Sequence, residues 1–283
     1  MTRPWCHVLL VSLGLLGAAR ARDPDFHVYL CLGQSNMEGF PGIPEEDKAH
    51  VEPRFQVLAA VDFPAQGRVR GQWYPAVPPL CRPNAGLSPA DFFGRALVEK
   101  LPPRVKVGVI NVAVGGCKID LFAQATFADY VAKAPAWMAG ALKAYDGNPY
   151  QRLVEMARLA QQSGVIKGIL LHQGESNVND PAWPAKVKSV YERLLADLGL
   201  SAAEVPLLVG GLVAADQEGK CASMNPVIAD LPKTIPTAHF VPSDGCEARR
   251  DHLHFSPAGY RELGKRYAEV MLPLLGSVPA APR

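Results

Sequence analysis

Two hydrophobic patterns alternate along the chain. Short, almost unbroken apolar runs occur at Val28–Leu32, Val105–Val114, Ile166–Leu171, Val205–Val213 and His239–Val241, and each predicts a strand. Phe55–Val61 is a further candidate strand. Continuous apolar runs, as opposed to alternating ones, are expected of parallel strands covered on both faces. Between them lie longer stretches in which apolar residues recur every three or four positions, as on one face of a helix.

Capping residues mark where several helices begin. In "LSPADFFGRALVEKL" Ser88 takes the N-cap, Pro89 the first helical position, and Asp91 completes a capping box. In "NPYQRLVEMARLAQQSG" Asn148 caps, Pro149 starts the helix and Gly164 ends it. Ser256 and Pro257 repeat the device, with Leu263, Tyr267 and Val270 or Met271 on one face. Pro184–Leu198 is another amphipathic segment. Strand and helix therefore alternate, and right-handed crossovers turn that order into a three-layer α/β/α sandwich on a mostly parallel sheet. Such sheets carry their sites at the carboxyl ends of strands, which brings Gly33–Asn36, Gly115–Asp120 and His172–Asn177 to one rim. Two long connections, Asp62–Ala85 and Asp120–Asn148, are placed to wall a cleft.

Composition narrows this picture only slightly. The 283 residues are 48% hydrophobic and carry a net charge of +2, enough for one large core. The near-neutral balance argues against nucleic acid or an acidic membrane surface as the main partner. The N-terminus says more. Arg3, the apolar Val8–Leu16 and the small residues of Ala19-Arg20-Ala21 make residues 1–21 an expected secretory signal, cleaved after Ala21. That apolar run is too short for a stable membrane span. Residues 22–275 then form one domain, residues 276–283 a disordered tail, and the product is secreted or periplasmic. Five cysteines follow the signal: Cys31, Cys81, Cys117, Cys221 and Cys246. Export permits disulfides, an odd number leaves a free thiol, and Cys221–Cys246 is the expected pair.

The candidate chemistry lies at the rim. "HVYLCLGQSNMEGF" and "GILLHQGESN" each place a serine, Ser35 and Ser176, just past a strand. Downstream, "DHLHFSPAGY" sets Asp251 three residues ahead of His254, where a carboxylate on a loop can turn onto the imidazole Nδ1–H and leave Nε2 free to take a proton from a serine. "VAVGGCKID" leaves a strand with Gly115 and Gly116, whose N–H groups can approach an oxyanion closely because neither residue has a Cβ. His252 and His254 lack a third metal ligand nearby, and Cys117 reads as a structural thiol.

Gly-Gln-Ser-Asn after the first strand, Gly-Gly after a middle strand, His-Gln-Gly-Glu-Ser after the next and Asp-x-x-His before the last helix occur together and in order, over residues 27–270. This combination resembles the SGNH hydrolases, and more narrowly the branch of acetylxylan esterases and sialate O-acetylesterase-like proteins. The resemblance implies a flavodoxin-like sheet, no cofactor or metal, and a serine esterase acting on an O-acetylated carbohydrate. It makes Ser35 the nucleophile, with its own N–H in the oxyanion hole, and Ser176 a residue that orders its loop. Where typical SGNH members carry an oxyanion asparagine, this chain has "HQGESN"; Gln173 is the expected substitute donor, with Asn177 the alternative. Gly115 or Gly116 supplies a further N–H. Asp251 has the family spacing to His254, while Glu175 occupies a position some acetylxylan esterases are thought to use as the triad acid, so both stand as catalytic candidates. Gln34, Asn36 and Asn177 are candidate substrate-binding residues. Trp73 and Tyr74 are candidates either for stacking on sugar or for the core. A non-catalytic glycan-binding protein and a lipase-like esterase are the rival readings.

Overall fold

The structure, a computed structural model, describes residues 22–276. The expected signal segment and most of the expected tail lie outside the described residues. Seven strands form one sheet: β1 (Phe26–Gly33), β2 (Phe55–Leu58), β3 (Trp73–Pro75), β4 (Lys106–Ala113), β5 (Val165–His172), β6 (Leu207–Gly210) and β7 (Ala238–Val241). Their order is β3-β2-β4-β1-β5-β6-β7, and every pair is parallel except β2 with β3. Within it, β4-β1-β5-β6-β7 is the doubly wound 2-1-3-4-5 order of a flavodoxin-like sheet, and β2 and β3 extend one edge. All five apolar runs became strands, as did the start of Phe55–Val61.

Successive side chains of β1 face opposite layers, which is why the run is apolar throughout. Tyr29 packs edge-on against Phe93 of the Pro89–Lys100 helix, with ring centroids 4.8 Å apart. Leu32, from the other face, meets Val187, Val190 and Leu194 of the Trp183–Leu198 helix. The Pro257–Gly276 helix joins the Pro89–Lys100 helix on the first face, and Pro149–Ala160 joins Trp183–Leu198 on the second. The result is a three-layer α/β/α fold. Its caps are those read from the sequence. The Ser88 N–H donates to Asp91 at 2.9 Å, Asn148 Oδ1 accepts from the Gln151 N–H at 3.1 Å, and Ser256 Oγ accepts from the Gly259 N–H at 3.1 Å.

Three differences have local causes. β6 is shorter than Val205–Val213 because side chains replace its ladder beyond Gly211: Leu212 gives its N–H to Asn225 Oδ1, and its carbonyl accepts from Asn225 Nδ2 and Ser243 Oγ. The helix expected to run to Gly164 stops at Ala160, and Gly164 closes the turn after it with an N–H bond to the Ala160 carbonyl. The Asp120–Asn148 connection contains the helices Gln124–Ala132 and Ala139–Ala144, and the first of these buries no residue. A helix without a buried face leaves no apolar period to read.

β1, β4 and β5 end at one level, because Gly33 is in register with both Ala113 and His172. Gly33 has φ +150°, and a Cβ there would lie 2.1 Å from the His172 carbonyl oxygen. Only glycine lets β1 and β5 converge this closely before the chain turns into Gln34-Ser35-Asn36.

Candidate active site

Ser35 opens a single helical turn, Ser35–Glu38, directly after β1. The loop between β7 and the last helix delivers His254 to it from the other end of the chain. His254 Nε2 lies 2.9 Å from Ser35 Oγ, and His254 Nδ1 lies 2.7 Å from Asp251 Oδ2. The other Asp251 oxygen accepts the N–H groups of Leu253 and His254, each at 2.9 Å. Partial burial pushes the Asp251 pKa up, but these bonds from the His254 ring and the two backbone groups outweigh it and hold the carboxyl at about 2. Asp251 is therefore an anion at any ordinary pH. As an acceptor it fixes the tautomer of His254, with hydrogen on Nδ1 and the Nε2 lone pair toward Ser35. Phe40 covers the imidazole at 4.4 Å between centroids, and the Arg249 guanidinium covers Phe40 in turn.

Glu175 does not share the imidazole. Its Oε1 accepts from Asn36 Nδ2 at 2.7 Å and lies 3.7 Å from His172 Nε2. Asn36 is fully buried and ties three segments together. Its Nδ2 also donates to the Leu253 carbonyl at 3.0 Å, and its Oδ1 accepts from the Phe255 N–H at 3.3 Å and Tyr260 Oη–H at 2.8 Å. Both faces of the amide are thus used inside the protein, and Asn36 is not a substrate-binding residue as expected but the clamp that joins Ser35 to the His254 loop. Burial raises the Glu175 carboxyl to about 7, against a bond from Asn36, and lowers the His172 imidazole to about 3.

The raised Glu175 pKa gives a signed prediction. Between the ordinary value of 4.5 and about 7 the folded protein holds a proton that the unfolded chain releases. The stability contributed by this group is therefore present below pH 4.5 and is lost as pH rises to 7, by about 3 kcal/mol. Glu175→Gln removes this term. The stability difference between variant and parent should move in the variant's favour by about that amount across the window, read as urea midpoints at pH 5 and pH 8. A pH-independent difference would show that Glu175 is ionised throughout.

The expected oxyanion side chain is elsewhere. Gln173 is fully buried, its Nε2 donates to Asn177 Oδ1 at 2.7 Å and Gln34 Oε1 at 3.1 Å, and its Oε1 accepts from Trp183 Nε1 at 2.5 Å. The alternative, Asn177, is also buried: its Oδ1 accepts the Ile119 N–H at 3.0 Å as well as Gln173, and its Nδ2 donates to Asp180 at 2.9 Å. Neither amide has a donor left for substrate, so Asn177 also leaves the expected substrate-binding set. Both build the floor beneath the rim. Of the two glycines expected to supply an oxyanion N–H, Gly115 donates its own to Glu38 Oε2. No protein acceptor takes the N–H of Ser35 or of Gly116 among the described residues. Gln34 Oε1 is held by Gln173 Nε2 and by the N–H groups of Gly174 and Ser176, at 3.1, 3.5 and 3.3 Å. Two backbone donors fix which end of that amide is oxygen, leaving Nε2 as the end that no protein acceptor holds. Ser176 Oγ donates to the Gly116 carbonyl at 3.0 Å, tying its loop to the two glycines.

Three residues at the site carried no legible signal in the sequence. Glu38 accepts from Arg82 Nη2 as well as from Gly115. Its carboxyl is raised above the ordinary range by burial, with Arg82 and the Gly115 N–H opposing. Glu38, Arg82 and Gly115 line a cleft of about 460 Å³ together with Trp137, Met138, Gly140, Ala141 and Ala144. Trp137 is 64% exposed. The aromatic residues singled out for stacking are at the wrong end. Trp73 packs on Phe26 at the start of β1 (ring centroids 4.7 Å apart), and Tyr74 Oη accepts the Val69 N–H. Cys221 and Cys246 are not paired; the Cys221 thiol faces the Glu175 carbonyl and Cys246 is buried alone. Asp120 pairs with Lys186 at 2.9 Å. His252 turns to the Gln217 carbonyl. Among the described residues no group of three His, Cys, Asp or Glu side chains is set to hold a metal, and no helix is long and apolar enough to cross a membrane.

The sheet order and the motifs at its rim define an SGNH-type hydrolase. The chain belongs to the carbohydrate esterase family described as sialic acid-specific acetylesterase, whose profile matches residues 25–273. Solved structures share the fold. A protein from Arabidopsis thaliana superposes with a TM-score of 0.66 at 20% identity, covering 89% of this chain and 99% of that one. NanS gives 0.64 at 18%, covering 90% and 99%. A carbohydrate acetylesterase from Xanthomonas citri gives 0.58 at 18%, covering 85% of this chain and 54% of its own. The protein is a carbohydrate esterase.

Proposed function

We propose that this esterase removes O-acetyl groups from a sugar or polysaccharide through an acetyl-enzyme on Ser35. The observation that carries the reading is the unbroken chain Asp251–His254–Ser35, with ring nitrogens at 2.7 and 2.9 Å from their partners. Ser35 Oγ attacks the acetyl carbonyl carbon while its proton passes to His254 Nε2, and the carbonyl π pair becomes the oxyanion. As the oxyanion collapses, the bond to the sugar oxygen breaks and His254 returns the proton to that oxygen. Water then repeats the sequence on the acetyl-enzyme and releases acetate. Asp251 stays ionised throughout and stabilises the imidazolium.

The N–H groups of Ser35 and Gly116 and the Gln34 amide are the donors proposed for the oxyanion, since each lacks a protein acceptor. Gln34 takes the place expected for Gln173, which instead fixes the orientation of Gln34 from below. The Arg3, Val8–Leu16 and Ala19–Ala21 pattern supports export before the enzyme meets its substrate.

The test is acetate release by the chain from Arg22 onward, with p-nitrophenyl acetate, acetylated xylan and O-acetylated sialic acid as substrates. Release from a sugar ester at a rate above that from p-nitrophenyl acetate supports the reading. A folded protein that binds these sugars and frees no acetate would make it a glycan-binding module. Preference for long acyl chains would make it lipase-like.

A further inference from the structure

We infer that the cleft between the Glu38–Arg82 pair and Trp137 is the seat of the sugar ring that bears the acetyl group, with Trp137 as the stacking platform. This rests on the reading of Ser35 as the esterase nucleophile. Position is the first support. Gly115 lines the cleft, and a Cβ on it would stand 3.7 Å from Ser35 Cβ and 3.0 Å from Glu38 Oε2. The cleft therefore begins one residue from the nucleophile, and its 460 Å³ is within the usual size of a small-molecule site.

The second support is how Trp137 is held. A single exposed aromatic needs no functional explanation by itself. Here the indole lies against the glycine loop: a Cβ on Gly116 would meet Trp137 Cη2 at 2.6 Å, and Gly116 has φ +68°, where a side chain is also strained. The ring is thus packed edge or face against the loop proposed to supply an oxyanion N–H, while 64% of the residue stays open to solvent. An aromatic surface in that place offers an apolar platform to the C–H face of a pyranose at little cost in side-chain freedom.

The polar lining of the same cleft is a compensated pair. Both Glu38 oxygens are occupied, by Arg82 Nη2 and the Gly115 N–H, and Arg82 is fixed over the Tyr145 ring at 5.8 Å. Arg82 Nη1 has no protein acceptor among the described residues and remains to donate to a ring hydroxyl or a ring carboxylate. One apolar face and one donor edge suit a pyranose better than an acyl chain, which would leave that donor unpaired.

Binding, separated from turnover, tests the inference. Titration calorimetry would use the Ser35→Ala protein, alone and with Trp137→Ala or Trp137→Phe, against an acetylated xylo-oligosaccharide and 9-O-acetyl sialic acid. Trp137→Ala should weaken Kd for the preferred sugar at least tenfold, and Trp137→Phe should restore most of it. The sugar that loses affinity identifies a neutral or an acidic ring as the occupant. Equal Kd values with and without Trp137, in proteins of unchanged Tm, would overturn the stacking site. Acetate release by the parent judges the esterase reading independently.

Discussion

Ser35→Ala should abolish acetate release, lowering kcat at least about 10⁴-fold, while leaving the fold and the sugar Kd intact. The size follows from what the hydroxyl does. It lies 2.9 Å from His254 Nε2, and without it the histidine has no nucleophile to activate. What survives is binding and the oxyanion donors acting on water. Stability should barely change, because Ser35 is only partly buried and the bond lost is the single one to His254. Ser176→Ala is the comparison that answers which of the two Gly-x-Ser-Asn serines attacks. Among the described residues its hydroxyl reaches only the Gly116 carbonyl, so most activity should remain. Comparable losses in both variants would mean that Ser35 is one support among several.

Asn36→Ala should give the largest stability loss of any single change at the rim, about 3–5 kcal/mol, with activity lost as well. The alanine would leave the Leu253 carbonyl, the Phe255 N–H and Tyr260 Oη without their partner. It would also take the Asn36 side-chain donor from Glu175, whose second oxygen is already buried and without a hydrogen-bond partner. Above about pH 7, where Glu175 is ionised, a carboxylate stripped of a donor is more costly than a neutral group. Leu253 and Phe255 flank His254, so the same substitution frees the loop that presents the imidazole. Asn36→Asp separates the two effects: it keeps an acceptor for Phe255 and Tyr260 but sets a second carboxyl against Glu175, which should depress kcat more strongly at high pH than at low. A thermal midpoint within 2 °C of the parent for Asn36→Ala would remove the clamp from the account.

The site was legible where chemistry and spacing are local. Asp251 and His254 are three residues apart, and a carboxylate at that distance on a loop can reach the ring without help from the rest of the fold. Ser35 follows an apolar run ending in a glycine that the sheet requires, so its place at the rim could be read from β1 alone. The amides were misread for the opposite reason. Gln34, Asn36, Gln173 and Asn177 all sit in rim motifs, and sequence gives no sign of which amide faces solvent and which faces another amide. The arrangement depends on Trp183, on Asp180 and on the bonds that tie Asn36 to Glu175 and Tyr260, partners outside the motifs themselves or distant in the chain. Glu38, Arg82 and Trp137 were invisible because they meet only when the ends of two long connections fold over the glycine loop. Cys221 and Cys246 failed as a pair because closeness in sequence to a loop says nothing of the Cα geometry a disulfide needs.

The most direct measurement of the central claim is the site of covalent capture. The parent protein would be treated with a fluorophosphonate, which transfers its phosphonyl group to an activated serine oxygen and releases fluoride, and the modified peptide would be located by mass spectrometry. One phosphonyl group on Ser35, formed in step with loss of acetate release and absent in His254→Ala, is the expected result. A phosphonyl group on Ser176, or complete inactivation with Ser35 unmodified, would contradict the account.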